Sequence, residues 1–74
     1  MSNLENKLKK IVNTFNSINK EEGYREIKKL SEKYKKNIKV LNVLSQISQK
    51  MGDIDTALNA LKKILLIENN NVEL

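Results

Sequence analysis

A helical hairpin predicted over residues 38–71 constrains the fold of this chain more than any other feature. The segment reads "IKVLNVLSQISQKMGDIDTALNALKKILLIENNN". Leu41, Leu44 and Ile47 recur at the 3.6-residue period, so they fall on one face of a helix. The letters "MGD" then interrupt the pattern, and a second helical stripe begins at Ala57. The segment therefore predicts two helices joined by a tight turn.

The preceding residues predict a second hairpin of the same kind. The letters "SNLE" have the form of a capping box, in which Ser2 and Glu5 satisfy free backbone amides at the start of the first helix. Asn19, followed by Glu21 and Glu22, is typical of another helix start, because acids in the first turn complement the helix dipole. The first helix carries the apolar stripe Leu4, Leu8, Ile11, Val12, Phe15 and Ile18. The second is expected to bury Gly23, Ile27, Leu30 and Tyr34.

These patterns predict an all-α fold of four antiparallel helices, arranged as two stacked hairpins. We expect the helices at roughly 3–17, 20–36, 38–51 and 54–68. Asn37 is expected to cap the third helix and Asp53 the fourth, since both side chains can accept hydrogen bonds from free backbone amides. Gly52 is expected to adopt the left-handed conformation that ends the third helix.

The two hairpins are related by an internal repeat. Four residues of the first hairpin each precede a residue of similar type in the second hairpin by the 34-residue period. In order, Gly23, Ile27, Leu30 and Asn37 correspond to Ala57, Leu61, Ile64 and Asn71. A slightly smaller interval separates Leu8, Ile11 and Phe15 from Leu41, Leu44 and Ser48, which predicts a first turn that is one residue shorter. A competing alignment matches "GYREI" with "GDIDTA" and sets the repeats about 30 residues apart. We prefer the 34-residue period because it keeps the second helix at full length.

In this arrangement the chain resembles the tetratricopeptide repeat family, which has the same period. The family's pattern of large, small and alanine positions is matched by Leu41, Leu44, Ser45, Ala57 and Leu61, and "GDIDTALNALKKIL" is similar to its turn and second helix. The signature Trp and the closing Pro are replaced by Leu41 and Asn69. The resemblance implies one domain over 1–74, with a degenerate repeat at about 4–37, a clear repeat at 38–71, and 72–74 as a tail or the start of a missing third repeat. It also implies a scaffold that binds other proteins.

Composition argues against catalysis. The chain has no Cys and no His, which excludes disulfides, thiolate or imidazole metal sites and the catalytic arrangements that require those side chains. The acids that occur in pairs, Glu21 with Glu22 and Asp53 with Asp55, lie where helix starts favour them. We therefore expect no enzyme activity, no cofactor and no metal. The N-terminus has no apolar run typical of a signal peptide or membrane span, so we expect a cytoplasmic location and no membrane partner.

The resemblance also implies a peptide-binding groove lined by the first helix of each hairpin. The residues beside the buried stripes, which we predict to contact a protein or peptide partner, are Lys9, Asn13, Asn16, Asn42, Gln46 and Gln49. Amide side chains suit hydrogen bonds to an extended peptide or a carboxylate. Lys9 and Asn13 resemble the opening pair of the family's carboxylate clamp, but Val43 stands where the clamp has Asn, and a third repeat's basic residues are absent.

The positive charge suggests an alternative partner. The net charge of +5 falls entirely within residues 1–37, where Lys28, Lys29, Lys35 and Lys36 could hold phosphates or an acidic protein. Nucleic acid is the weaker hypothesis, because helix-surface lysines usually only solvate a face and the chain has few aromatic residues for base stacking.

The fourth helix is apolar over more than one stripe. Ala57, Leu61 and Ile64 are expected to face the third helix, which leaves Leu58, Leu65 and Leu66 for another surface. Stacked repeats bury a continuous core only when their ends are covered. Leu58, Leu65 and Leu66 are therefore predicted to form an oligomer interface, covered by a second copy in a homodimer or by further repeats. In the other possibility, "NNNVEL" folds back and Leu74 covers part of the patch.

Overall fold

The computed structural model describes the backbone of residues 3–72 and the side chains of residues 3–69. The predicted capping box at Ser2 and the predicted covering of the fourth helix by Leu74 lie outside these residues. Within the described part the chain is all-α and contains no strand. The helices are α1 (Asn3–Asn13), continued by a π-helical segment (Thr14–Ile18), α2 (Lys20–Lys33), α3 (Ile38–Met51) and α4 (Ile54–Val72). They pack as two stacked hairpins.

The predicted helix boundaries are confirmed at the caps. The Glu22 backbone N–H donates to Asn19 Oδ1 at 3.0 Å, and the Val40 N–H donates to Asn37 Oδ1 at 3.1 Å. The Thr56 N–H donates to Asp53 Oδ1 at 3.2 Å at the start of α4. Gly52 has a φ of 82°, the left-handed conformation expected of it. The residues that cap these helices could therefore be predicted from the hydrogen-bonding and backbone preferences of the residues themselves.

Helix ends without such signals were predicted less well. Helix α2 ends at Lys33 rather than at 36, and Tyr34 turns the chain while its ring packs partly buried against the core. Helix α4 continues to Val72 instead of ending near 68, because no Gly or Pro follows to stop it. The π-helical segment was not predicted at all. In it, the Asn19 N–H bonds to the Thr14 carbonyl at 2.8 Å, five residues back.

The core runs through both hairpins as one cluster. Its buried apolar members are Leu8, Ile11, Phe15, Ile27, Leu30, Val40, Leu41, Leu44, Ile47 and Ala60, and Ala57 is also buried. Gly23 is buried where α2 crosses the π-helical segment, and a Cβ there would lie 2.7 Å from Phe15 Cβ and 2.8 Å from Phe15 Cα. Gly23 is therefore buried as expected, and its lack of a side chain permits a close contact between the two helices.

The apolar stripes do not predict every core residue correctly, and Ile18, the last residue of the first stripe, is 70% exposed. Leu61 was expected to face α3, but it is 38% exposed, and Ala60, which was not predicted, is buried at 1% exposure. The face that α4 turns inward carries Ala57 and Ala60, with Ile64 and Ile67 partly buried against the core. Helix α4 thus turns its small residues toward the core, where α3 buries Ser45 and Ser48 beside Val40, Leu41, Leu44 and Ile47. Leu61 is thereby turned to the edge.

Candidate interaction surfaces

A row of exposed apolar side chains follows one edge of α4. We call this row the α4 stripe; it consists of Ile54, Leu58, Leu61 and Leu65, which are 53%, 50%, 38% and 58% exposed. The spacing is four, three and four residues, so these side chains lie above one another on one side of the helix. The stripe lies beside the inward face of α4 and extends along about three turns.

Leu66 does not belong to this stripe. It is 63% exposed, and it lies about 100° around the helix from Leu65. There it lines a cavity of about 410 Å³ at the other edge of α4, together with Lys35, Lys36, Lys63 and Ile67. The predicted interface of Leu58, Leu65 and Leu66 is thus divided by the structure: Leu58 and Leu65 share one edge, and Leu66 faces another. Ile54 and Leu61, which were not assigned to an interface, complete the stripe.

The predicted groove is partly assembled between α1 and α3. Lys9, Asn13 and Asn16 line a cavity of about 430 Å³ whose apolar floor is formed by Leu8, Val12 and Val43. Asn42 lines a neighbouring cavity of about 380 Å³, again with Lys9. Gln46 and Gln49 are exposed on α3 but line neither cavity. Four of the six predicted contact residues are therefore brought together around an apolar floor.

The sequence did not predict which apolar residues form the floor of this groove. Val12 belongs to the apolar stripe of the first helix, yet it is 36% exposed and lines the cavity instead of the core. Val43 was noted only as a departure from the carboxylate clamp. Both side chains lie beside the α1–α3 contact, which sequence spacing alone does not locate. Lys39 and Glu5 form an exposed ion pair across the same two helices, and this hydrogen-bonded pair lowers the pKa of Glu5.

The four lysines of the basic hypothesis are distributed over separate places. Lys35 and Lys36 lie at the cavity beside Leu66, whereas Lys29 lines a different cavity of about 300 Å³ that also contains Glu26. Lys28 places its Nζ 4.3 Å from the centre of the Tyr24 ring. The four lysines are thus divided among different cavities, and Lys29 shares its cavity with Lys7 and Lys10.

A polar cluster fixes α4 relative to the first hairpin. The Tyr24 hydroxyl donates to Asp53 Oδ2, and the Thr56 hydroxyl donates to the same oxygen at 2.7 Å. Together with the amide of Thr56, these donors stabilise the carboxylate and lower the pKa of Asp53, Tyr24 having the largest effect. Burial, followed by the bond to Asp53, raises the pKa of Tyr24. One carboxylate thus both caps α4 and connects it to α2.

The described residues offer little for other classes of site. Residues 3–69 contain no group of three or more acidic, His or Cys side chains placed to hold a metal ion. Among the helices of this part of the chain, none combines the length and apolar character needed to cross a membrane. Comparison with protein-family models, with curated proteins and with solved structures finds no match.

Proposed function

We propose that this chain is a non-catalytic protein-interaction module whose main docking surface is the α4 stripe. The observation that supports this proposal is the row of four large apolar side chains that the described part of the chain covers only in part, each being between 38% and 58% exposed. Contiguous exposed apolar surface on a soluble protein commonly marks a binding site. Single exposed leucines would carry no such meaning, but a row on one helix edge does.

The exposed part of the α4 stripe leaves favourable burial free energy unused. Complete burial of a Leu or Ile side chain contributes about 1.5–3 kcal/mol. Four such side chains at roughly half exposure therefore forgo several kcal/mol, which is a large share of the stability available to a domain of this size. A partner that covers Ile54, Leu58, Leu61 and Leu65 recovers this free energy. Binding at the stripe is accordingly expected to stabilise the fold.

The shape of the stripe favours a helical partner. Its spacing places apolar side chains at every turn of one edge, which is the pattern by which one helix packs along another. The small residues Ala57 and Ala60 keep α4 close to α3, so the stripe stands on a helix held firmly by the core. A rigid apolar ridge of this kind needs little reorganisation when it binds.

In-cell photo-crosslinking tests the proposal. A photoreactive amino acid placed at Leu58 is expected to crosslink to a protein when cells expressing the full chain are irradiated. The same substitution at Leu66 serves as the matched control, because Leu66 is equally apolar and 63% exposed but faces the other edge of α4. Protein crosslinks from Leu58 that are absent from Leu66 support the stripe as the docking surface. No protein crosslink from Leu58, or equal crosslinking from both positions, contradicts it.

The groove between α1 and α3 is a second candidate surface, for an extended peptide. The observation that favours it is the cavity of about 430 Å³ with an apolar floor and a rim of Lys9, Asn13 and Asn16. Asn13→Ala with Asn42→Ala is expected to weaken peptide binding at least tenfold, since each Asn can hydrogen-bond a peptide backbone. Gln46→Ala with Gln49→Ala is the matched control, because both side chains lie outside the cavities. Equal losses in the two double variants would place the peptide elsewhere.

The resemblance to tetratricopeptide repeats and a cytoplasmic location remain parts of this proposal. The 34-residue internal period and the two stacked hairpins support the resemblance. The absence of Cys from the sequence is compatible with a reducing compartment. The alternative, binding of nucleic acid or an acidic protein by the lysines, predicts affinity that falls steeply with salt and is reduced when Lys28, Lys29, Lys35 and Lys36 are changed to Glu.

A further inference from the structure

We infer that the α4 stripe is occupied by the stripe of a second copy of this chain, in an antiparallel helix pair with two-fold symmetry. This inference rests on the proposed use of the stripe as a docking surface and adds the identity and orientation of the partner. It is argued from the charges that flank the stripe on α4, because those charges make the stripe complementary to itself in one orientation only.

The four, three, four spacing of the stripe is that of alternating d and a positions in a heptad. With Ile54 and Leu61 at d, Leu58 and Leu65 occupy a. The g flank then holds Ala57 and Ile64, of which the first is buried and the second partly buried against the core. The other flank, the e positions, is exposed to solvent. The structure therefore leaves one flank of the stripe available for contacts with a partner.

The exposed flank carries one acid and one base, separated by one heptad. Asp55 and Lys62 are both exposed, and within residues 3–69 neither forms an ion pair. In an antiparallel pair of helices, e positions lie next to e positions of the partner. Two copies aligned over the whole stripe place Leu58 against Leu61, and Ile54 against Leu65, of the second copy. In that alignment Asp55 lies beside Lys62 of the second copy, and two-fold symmetry makes this contact twice.

A parallel pair would not have this complementarity. Parallel helices bring e positions next to g positions of the partner. Here the g positions are Ala57 and Ile64, which face the core of their own copy and carry no charge. Asp55 and Lys62 would then have no partner of opposite charge. The charges on this flank thus specify orientation, whereas the apolar stripe supplies the affinity, because exposed ion pairs contribute little to stability.

Sedimentation of the full chain over a range of concentrations tests the second copy. We expect a reversible monomer–dimer equilibrium that Leu58→Gln with Leu65→Gln abolishes and that Leu66→Gln leaves unchanged. Asp55→Lys and Lys62→Asp should each weaken dimerisation about tenfold or more, since each makes two like-charge contacts. The double variant that exchanges the two charges should restore the affinity. Helical circular dichroism of every variant checks that the fold is kept.

Disulfide trapping tests the orientation. The chain has no Cys, so any disulfide reports introduced residues alone. A mixture of Leu58→Cys and Leu61→Cys chains is expected to form the mixed disulfide faster than either variant crosslinks with itself. A parallel pair would instead favour self-crosslinking of each variant. Faster self-crosslinking, or a dimer indifferent to the charge reversals, would overturn the antiparallel arrangement.

The outcomes separate this inference from the proposed function. A chain that stays monomeric while position 58 crosslinks to a different protein overturns the second copy and leaves the docking surface intact. A monomer with no protein crosslink at position 58 overturns both. A dimer that depends on Leu58 and Leu65, and whose affinity is lost and restored with the charges of Asp55 and Lys62, supports both.

Discussion

Helices α2 and α4 occupy equivalent places in the two hairpins, but only α2 is covered on both of its apolar edges. Ile27 of α2 is completely buried, whereas Leu61, its counterpart in the internal repeat, is 38% exposed. Tyr24 packs against the core and bonds to Asp53, while its counterpart Leu58 is 50% exposed. The apolar residues of α4 are thus positioned as those of α2 are, but no following hairpin covers them among the described residues.

This difference shows that each second helix has two packing surfaces. One faces the first helix of its own hairpin, and the other is available to a hairpin or a partner that packs upon it. In α2 the second surface is covered by α3, which is why Ile27 belongs to the core cluster. In α4 the corresponding surface is the α4 stripe. The stripe is therefore a packing surface of the fold that the described residues leave uncovered, and a partner can use it.

The largest expected effect comes from truncating the two counterparts. Ile27→Ala should lower the free energy of unfolding by about 2–5 kcal/mol, because it leaves a cavity in the core. Leu61→Ala should lower it by about 1 kcal/mol or less, since the side chain is already partly in water. Urea unfolding at concentrations where the chain is monomeric measures both. Equal costs would mean that the two helices are covered alike.

Exchange of the small residues in α2 and α4 sharpens the comparison. Gly23→Ala should destabilise the fold by about 1–3 kcal/mol, because its Cβ meets the backbone of Phe15 and neither helix can easily move. The gain in helix propensity, about 1 kcal/mol, only partly offsets this clash. The reverse change at its counterpart, Ala57→Gly, should cost about 1 kcal/mol from propensity alone. A stabilised Gly23→Ala variant in thermal unfolding would argue against the close contact.

The bond between Tyr24 and Asp53 is expected to make stability sensitive to acid. Because the folded state lowers the pKa of Asp53, its contribution is complete above the ordinary carboxyl pKa and is lost as pH falls through the lowered value. Asp53→Asn keeps a helix cap but removes the charge. Its melting temperature should lie a few degrees below that of the unchanged chain at neutral pH, and the gap should close on acidification.

The control for this prediction is Glu5→Gln, because Glu5 also has a lowered pKa, caused by Lys39, and titrates in the same direction. It should remove a separate part of the acid sensitivity and leave the effect of Asp53→Asn unchanged. At high pH the raised pKa of Tyr24 has the opposite consequence: its stabilising effect is lost as pH rises through that value. If the difference in melting temperature between Asp53→Asn and the unchanged chain does not depend on pH, the role given to the Tyr24–Asp53 pair is contradicted.

The smallest effect is expected at Ser48, the counterpart of Phe15 in the second hairpin. The Ser48 hydroxyl is buried and makes no hydrogen bond of good geometry within the described residues, although it lies close enough to Tyr24 to affect the pKa of that residue. Ser48→Ala removes this unsatisfied group and favours the helix, so it should stabilise the fold by about 0.5–1 kcal/mol. Thermal unfolding of the single variant measures it. A loss of stability would show that the hydroxyl has a partner in solution.

The sequence by itself determined the all-α class, the number of helices and most of their starts. The capping residues act through hydrogen bonds and backbone preferences that involve only a few neighbouring residues, so the sequence is enough to predict them. They are Asn19, Asn37, Gly52 and Asp53. It also showed that α4 carries more apolar residues than one stripe requires. The resemblance to tetratricopeptide repeats singled out Lys9, Asn13 and Asn16, and the structure places all three at one cavity. Their contact with a partner stays a prediction.

Only the tertiary structure decided which apolar residues of α4 are covered. The period alone allowed Leu61 to face α3 and grouped Leu66 with Leu58, but in the structure α4 turns Ala57 and Ala60 toward the core. The π-helical segment at Thr14–Ile18 and the residues that form the floor of the groove were likewise seen only in the tertiary structure. The physical reason is that periodicity fixes which residues share a face, whereas the rotation of that face depends on how closely the neighbouring helix can approach.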